Sequence, residues 1–491
     1  MKMNIFDQFI SDTAKYQTRR HFLKSLSTGV GAMALGSMVG CGTNNSPGIT
    51  SKFNLGSQKP HFAPKAKRVI FLHMEGAPSQ LELFDFKPEL AKLHGKPCPP
   101  SLLEGKRFAF ITGTPKIQGP YLDFKQRGQS GAMVSDALPY FSQVVDEVTF
   151  LKAVHTDEFN HAPAQLFMYT GGPRLGRPSM GSWVVYGLGS ENENLPGFIV
   201  LASGQDNPSA GKNVWGSGFL PTVYQGVNCQ SAGEPILYLS NPKGVDSRIR
   251  RRVLNSIKNL NEKQYNELGD PETLARINQY EMAFKMQMEA PEAMDITEEP
   301  DYIHQLYGTS PGVNSFANNC LLARRLVERG VRFIQLFHTG WDSHGTTEYE
   351  SINHGFLERC KEVDQAMSGL ILDLKQRGLL EDTLVVWGGE FGRTPMMENR
   401  GGKDNPFVGR DHHPYAYTMW MAGGGVKSGL TYGETDEIGY YGIKDQVHIH
   451  DLQATILNQL GMDHEKLTYQ FQGRDFRLTD VHGKVVKDIL V

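Results

Sequence analysis

Carboxylates and imidazoles follow one apolar run after another along this chain. The run Arg68–Met74 is followed by Glu75, Ser79, Glu82 and Asp85, and the run ending at Val154 by His155, Asp157, Asn160 and His161. The run ending at Phe337 leads into His338, Asp342 and His344, the one ending at Trp387 into Glu390 and Arg393, and the loop Gly409-Arg410-Asp411-His412-His413-Pro414 precedes the next. Carboxylate oxygens and imidazole nitrogens are the ligand set for zinc, manganese or iron. One histidine at a strand end is usually a hydrogen-bonded structural residue, but five such loops on one rim point to a shared polar site. Asp342 and His344, two apart, either converge on one ion or hydrogen-bond each other. Arg393, on the glycine-rich turn with Glu390, either grips an oxyanion with two donors or closes an intramolecular ion pair.

The elements that must position these residues are short apolar strands with helices between several of them. Strands are expected at Arg68–Met74, Val148–Val154, Gly197–Ala202, Val331–Phe337, Thr383–Trp387 and Ala416–Ala422. The alternation predicts an α/β fold, a mainly parallel sheet sandwiched by helices. In such a sheet ligands bind beyond the carboxyl ends of the strands, where the acids and histidines fall. From His354 to Arg377, Phe356, Cys360, Val363, Met367, Leu370 and Leu374 recur at helical spacing and predict a packing face. A charged segment at about 246–299 reads as a helical insertion with a stripe of Leu274, Ile277, Tyr280, Phe284 and Met288. Asp451 is expected to cap a helix through Leu460. Two features are set aside: Gly423–Gly429 has the wrong order for a phosphate loop, and metal ligation by His448 and His450 lacks support. No Gly-x-Ser-x-Gly elbow is present, which weakens a serine-esterase reading.

The N-terminus carries Arg19-Arg20 followed by an uncharged stretch, Ser25 to Gly40, the layout of a twin-arginine export signal. That stretch is too short and too rich in glycine to span a bilayer, which takes about 20 apolar residues. It ends at Met38-Val39-Gly40-Cys41, which resembles a lipobox, so residues 1–41 are read as signal and Cys41 as the lipidated residue of a periplasmic, membrane-anchored protein. Residues 42–67 read as a flexible tether and 68–491 as the folded domain. The formal net charge of −3, with mixed signs, offers no basic surface for nucleic acid. Cys98, Cys229, Cys320 and Cys360 are widely spaced with no CxxC pair, and buried thiols are expected.

The segments HMEGAPSQLELFD, NHAPAQLFMYTGG, RPSMGSWVVYGLG, GWDSHG, GGEFGRTP, GRDHHP, AGGGVKSGLTYGETDE and HDLQATILNQLG resemble the family known as domain of unknown function 1501, across nearly the whole exported chain. That family usually begins with a twin-arginine signal and is similar to the alkaline phosphatase and sulfatase superfamily of metal-dependent ester hydrolases. The resemblance implies that Glu75 is the acid ending strand one and that His161 takes the nucleophile position, where the superfamily has Ser, Thr or formylglycine. Glu390-Phe391 stands where the superfamily has Asp-His, so one metal-binding imidazole is missing. It further implies one divalent ion held by Asp342, His344 and a histidine of the Asp411-His412-His413 loop, with Glu390 and Glu75 as further acids. His161, with Asn160 beside it, would be general base or covalent nucleophile, and Arg393 would neutralise a small anionic ester or glycan substrate. The alternative is a non-catalytic surface lipoprotein of the same fold that binds glycans or a partner protein.

Overall fold

The computed structural model describes residues 56–203, 207–236, 241–400 and 402–491; Arg19, Arg20, Cys41 and residues 42–55 of the expected tether lie outside them. The apolar runs form the strands of one nine-stranded sheet: β1 Arg68–Met74, β2 Val148–His155, β3 Phe198–Ser203, β4 Val227–Cys229, β5 Phe333–His338, β6 Thr383–Gly388, β7 Tyr417–Ala422, β8 Leu430–Tyr432 and β9 Val447–His448. Their order is β8-β2-β7-β6-β1-β5-β3-β4, with β9 also paired to β2. All pairs are parallel except those of β7, which runs against both β6 and β2. The sheet is therefore mixed, and the three-residue β4 and β8 and the two-residue β9 are too short to leave a periodicity in the sequence.

Side chains alternate across the sheet, so β1 feeds two cores. Ile70, Leu72 and Met74 face α5 (Phe316–Glu328) and α6 (Gly355–Gln376). Val69 and Phe71 face α1 (His161–Thr170), α2 (Met180–Leu188) and α7 (Ile449–Gln459), while α4 (Pro271–Met294), which lies against α3 (Ser247–Leu268), packs into the first core. All six residues of the expected α6 stripe are buried. At about 1.5–3 kcal/mol for each large apolar side chain buried, these two cores dominate the stabilisation and hold the strand ends in place.

Three expectations are corrected. Residues 56–67 are not free tether: the Gln58 amide bonds to Leu188 O, Phe62 to Gly461 O, and Lys65 and Ala66 to Gln459 O, pinning the segment to the domain. Along α4, Leu274 and Ile277 are buried, whereas Tyr280 is 43% and Met288 70% exposed; Met286, Ala290 and Ala293 pack inward instead. Asp451 is not the cap of α7: His448 is, accepting from the His450 amide, while Asp451 reaches back to the His448 amide. The four described cysteines are free and buried. No described helix is long and apolar enough to cross a membrane.

Candidate metal centre

Beyond the carboxyl ends of β1, β5 and β6 the loops close on Asp342. Gly76, just past β1, makes this possible: at φ +102 a Cβ there would stand 2.5 Å from the Asp342 amide nitrogen. Next to it Ala77 is held at φ 57, a left-handed conformation that a buried alanine rarely adopts. His161 opens α1, and His412 lies in a two-residue strand, His412–His413, paired antiparallel with Gly392–Arg393. Adjacent strand residues face opposite ways. His412 therefore turns toward Asp342, and His413 turns away, its Nε2 2.6 Å from the Tyr440 carbonyl oxygen.

Among the described residues, His161, Asp342, His344 and His412 form one group whose ligand atoms all lie within 4.8 Å of one another. Each imidazole has its far nitrogen occupied. His161 Nδ1 is 2.6 Å from Glu390 Oε1, His412 Nδ1 is 2.7 Å from Phe159 O, and His344 Nδ1 bonds to Glu398 Oε2. The Nε2 atoms then face inward: His344 Nε2 is 2.7 Å, His161 Nε2 3.3 Å and His412 Nε2 3.5 Å from the carboxylate of Asp342, and His344 and His412 bring their Nε2 atoms to 3.2 Å. An acceptor on Nδ1 fixes the proton there and leaves the Nε2 lone pair for an ion, the usual outer support of a metal-bound histidine. Three imidazoles and one carboxylate fit zinc, manganese or iron. The Asp342 side chain is 36% exposed while those of His344 and His412 are 3% exposed, so the group opens to solvent at the carboxylate.

Burial opposes ionisation of Asp342, but Arg393 and the three histidines hold its carboxyl well below the usual range. Burial likewise disfavours a charged His161, yet Asp342 and Glu390 outweigh it and push its pKa up to about 10. His344 is raised the same way, against burial, by Asp342 and Glu398. His412 is lowered to about 3 by burial, which Asp342 only partly offsets. The protein without an ion thus carries protonated and neutral imidazoles in one group, and a cation must displace the proton on His161.

The remaining expected site residues have other duties. Arg393 is 1% exposed and donates to the carbonyls of Ala77, Gly76 and Arg410 and to the Asp342 carboxylate, so it braces the loop and its guanidinium is buried away from any substrate in solvent. Glu390 accepts from the Gly76 amide as well as facing His161, and sits behind the group. Glu75 is held by Gln165 at 3.1 Å and the Ser209 hydroxyl at 2.6 Å, apart from the group. The carboxylate of Asp411 takes the amides of Phe110, Ile111 and His412; it has ligand spacing only in a second group, with His344 and Glu398. Asn160 is an exposed helix-start residue whose side chain makes no cap. His161, expected as base or nucleophile, stands among the ligand candidates. Sequence reading missed Glu398, which follows no strand; Phe159, which acts through its backbone; and His73, whose signal was a histidine inside an otherwise apolar strand.

No curated protein matches the chain. Solved structures that it resembles include the PsFucS1 sulfatase from Pseudoalteromonas sp., at 12% identity over 82% of this chain and 68% of that one, with a TM-score of 0.36. Others are the phosphonate monoester hydrolase SpPMH from Silicibacter pomeroyi, at 12% over 86% and 76% with a TM-score of 0.36, and alkaline phosphatase from the Antarctic bacterium TAB5, at 11% over 81% and 98% with a TM-score of 0.31. These overlaps are loose. The family match covers nearly the whole domain: residues 66–490 fit the family described as protein of unknown function (DUF1501), and the chain belongs to it.

Proposed function

We propose that this protein is a metal-dependent hydrolase of phosphate or sulfate esters, exported through the twin-arginine pathway and anchored in the periplasm by a lipid on Cys41. The observation that carries the reading is the convergence of three Nε2 atoms on Asp342, each ring anchored from behind. A divalent cation in that group would polarise a phosphoryl or sulfuryl oxygen and acidify water. Glu390, Glu398 and Phe159 O keep the imidazoles oriented; Arg393 keeps the Asp342 carboxylate ionised and in place. The exposed side of Asp342 is where substrate and water reach the group. A cavity of about 700 Å³ lies behind the group, beside Glu398, and none of the four members lines it. One observation favours the alternative, a binding protein without catalysis: the four members of the group are three histidines and an aspartate, with no hydroxyl or thiol nucleophile among them.

Metal content measured by mass spectrometry on protein purified without added metal separates the two. About one ion per chain is expected. It should be lost in Asp342→Ala and His344→Ala and kept in His413→Ala, with turnover of p-nitrophenyl phosphate or sulfate following the ion. A metal-free protein indifferent to Asp342→Ala and His344→Ala sinks the hydrolase and leaves the binding protein.

A further inference from the structure

His73 is a polar side chain in the middle of the molecule. It lies on β1, flanked by the carboxyl end of β5 and by β6, and it is fully buried. Its ring packs against Tyr169 and Phe337, with centroids at 5.4 and 5.2 Å, a slot that a phenylalanine would fill as well. Neither ring nitrogen makes a hydrogen bond. Buried polar groups are almost always paired, and an exception in a well-packed core calls for a functional account. Glu390 Oε2 lies 3.3 Å from His73 Nε2, and that oxygen too has no hydrogen-bond partner. The other oxygen of the same carboxylate holds His161 Nδ1 and the Gly76 amide.

We propose that His73 is a positioning residue for the cation site: it donates from Nε2 to Glu390 Oε2 and so fixes the plane of the carboxylate whose Oε1 anchors His161. A slight turn of the ring closes that bond. With it closed, Glu390 cannot swing away, and His161 keeps its proton on Nδ1 and its Nε2 toward Asp342. The inference rests on reading the group as a cation site, but the orientation of His161 is measurable without any ion.

The test compares full-length protein carrying His73→Phe, which keeps the ring packing, with His73→Gln, whose amide restores a donor. Two readouts are taken: zinc affinity by chelator competition, and the downfield NMR signal of the His161 Nδ1 proton, assigned by its loss in His161→Gln. For His73→Phe the expectation is a zinc affinity lower by about 10–100-fold and an upfield move or loss of the His161 signal, with both recovered in His73→Gln. Wild-type affinity and an unmoved signal in His73→Phe overturn the proposal, as does equal damage in both variants, which marks packing alone. Should His73→Phe fail to fold, His73→Gln decides: it must keep the signal. Wild-type protein that binds no zinc defeats the cation reading by itself, while the proton signal still upholds or overturns the role of His73.

Discussion

Histidines gather twice in this protein. His161, His344 and His412 surround Asp342, while His155, His448, His450 and His482 form a chain of rings with centroids 5.0–5.1 Å apart. In the second gathering the nitrogens are spent singly: His448 Nδ1 caps α7, His448 Nε2 lies 3.4 Å from Asp157, and His450 Nε2 lies 3.2 Å from Gly171 O. Those rings pack in a row, only His450 and His482 stacked, and do not converge. In the first, an acceptor behind every ring turns the opposite nitrogen inward. What separates a candidate cation site from a packed cluster is therefore the second ring of acceptors, more than the count of imidazoles. The supports also differ in range: the α7 cap joins residues two and three apart, whereas Glu82–Arg410 and Gly76–Glu390 join residues more than 300 apart.

The harshest way to break this contrast is to remove a long-range support. Arg410 is fully buried, 2.7 Å from Glu82, and also donates to the carbonyls of Gln118, Gly119 and Thr394 just before His412. Arg410→Ala leaves Glu82 buried and unpaired and should cost about 3–5 kcal/mol in urea denaturation, together with ion binding. His448→Ala should cost about 1 kcal/mol and spare any ion. Equal losses would erase the distinction. A milder change sharpens it: Glu398→Gln keeps the volume but weakens the anchor of His344. Zinc affinity should fall about 10–100-fold, or about 1.4–2.8 kcal/mol, and an unchanged value would mean that His344 needs no anchor.

The smallest effect lies in pH. His450 is lowered to about 4 by burial, which the Gly171 carbonyl only partly offsets. Its folded pKa lies below the unfolded value of about 6.5, so the native state binds fewer protons and stability falls as pH drops from 6.5 toward 4. His412 and His413 act in the same direction. The measurement is accordingly a difference: the Tm of His450→Phe should decline less steeply than that of the parent across this window. In ion-free protein His161 has the opposite sign, stabilising below pH 6.5 and losing that contribution as pH rises toward about 10. Parallel slopes for His450→Phe and the parent would remove His450 from the account.

The strands that build the rim were legible because each is a continuous apolar run, and α6 because its apolar residues recur at helical spacing. The convergence of His161, Asp342, His344 and His412 was legible only as a set of candidates on one rim. His412 could not be told from His413, because the choice depends on which face of a two-residue strand meets Asp342. Arg393 looked available because its three carbonyl partners are backbone groups, which leave no mark in a sequence. Glu398 and His73 were passed over for a related reason: their importance comes from one distant neighbour each, His344 and Glu390.

The sequence by itself determined the sheet's main strands, the rim on which polar residues collect and the family, since each is written in local pattern. Only the tertiary structure decided which nitrogens face inward, which charges are spent inside the protein and which histidines merely pack against one another. Those outcomes depend on orientation between residues far apart in the chain, and orientation is set by packing and by hydrogen bonds to backbone atoms that every sequence shares.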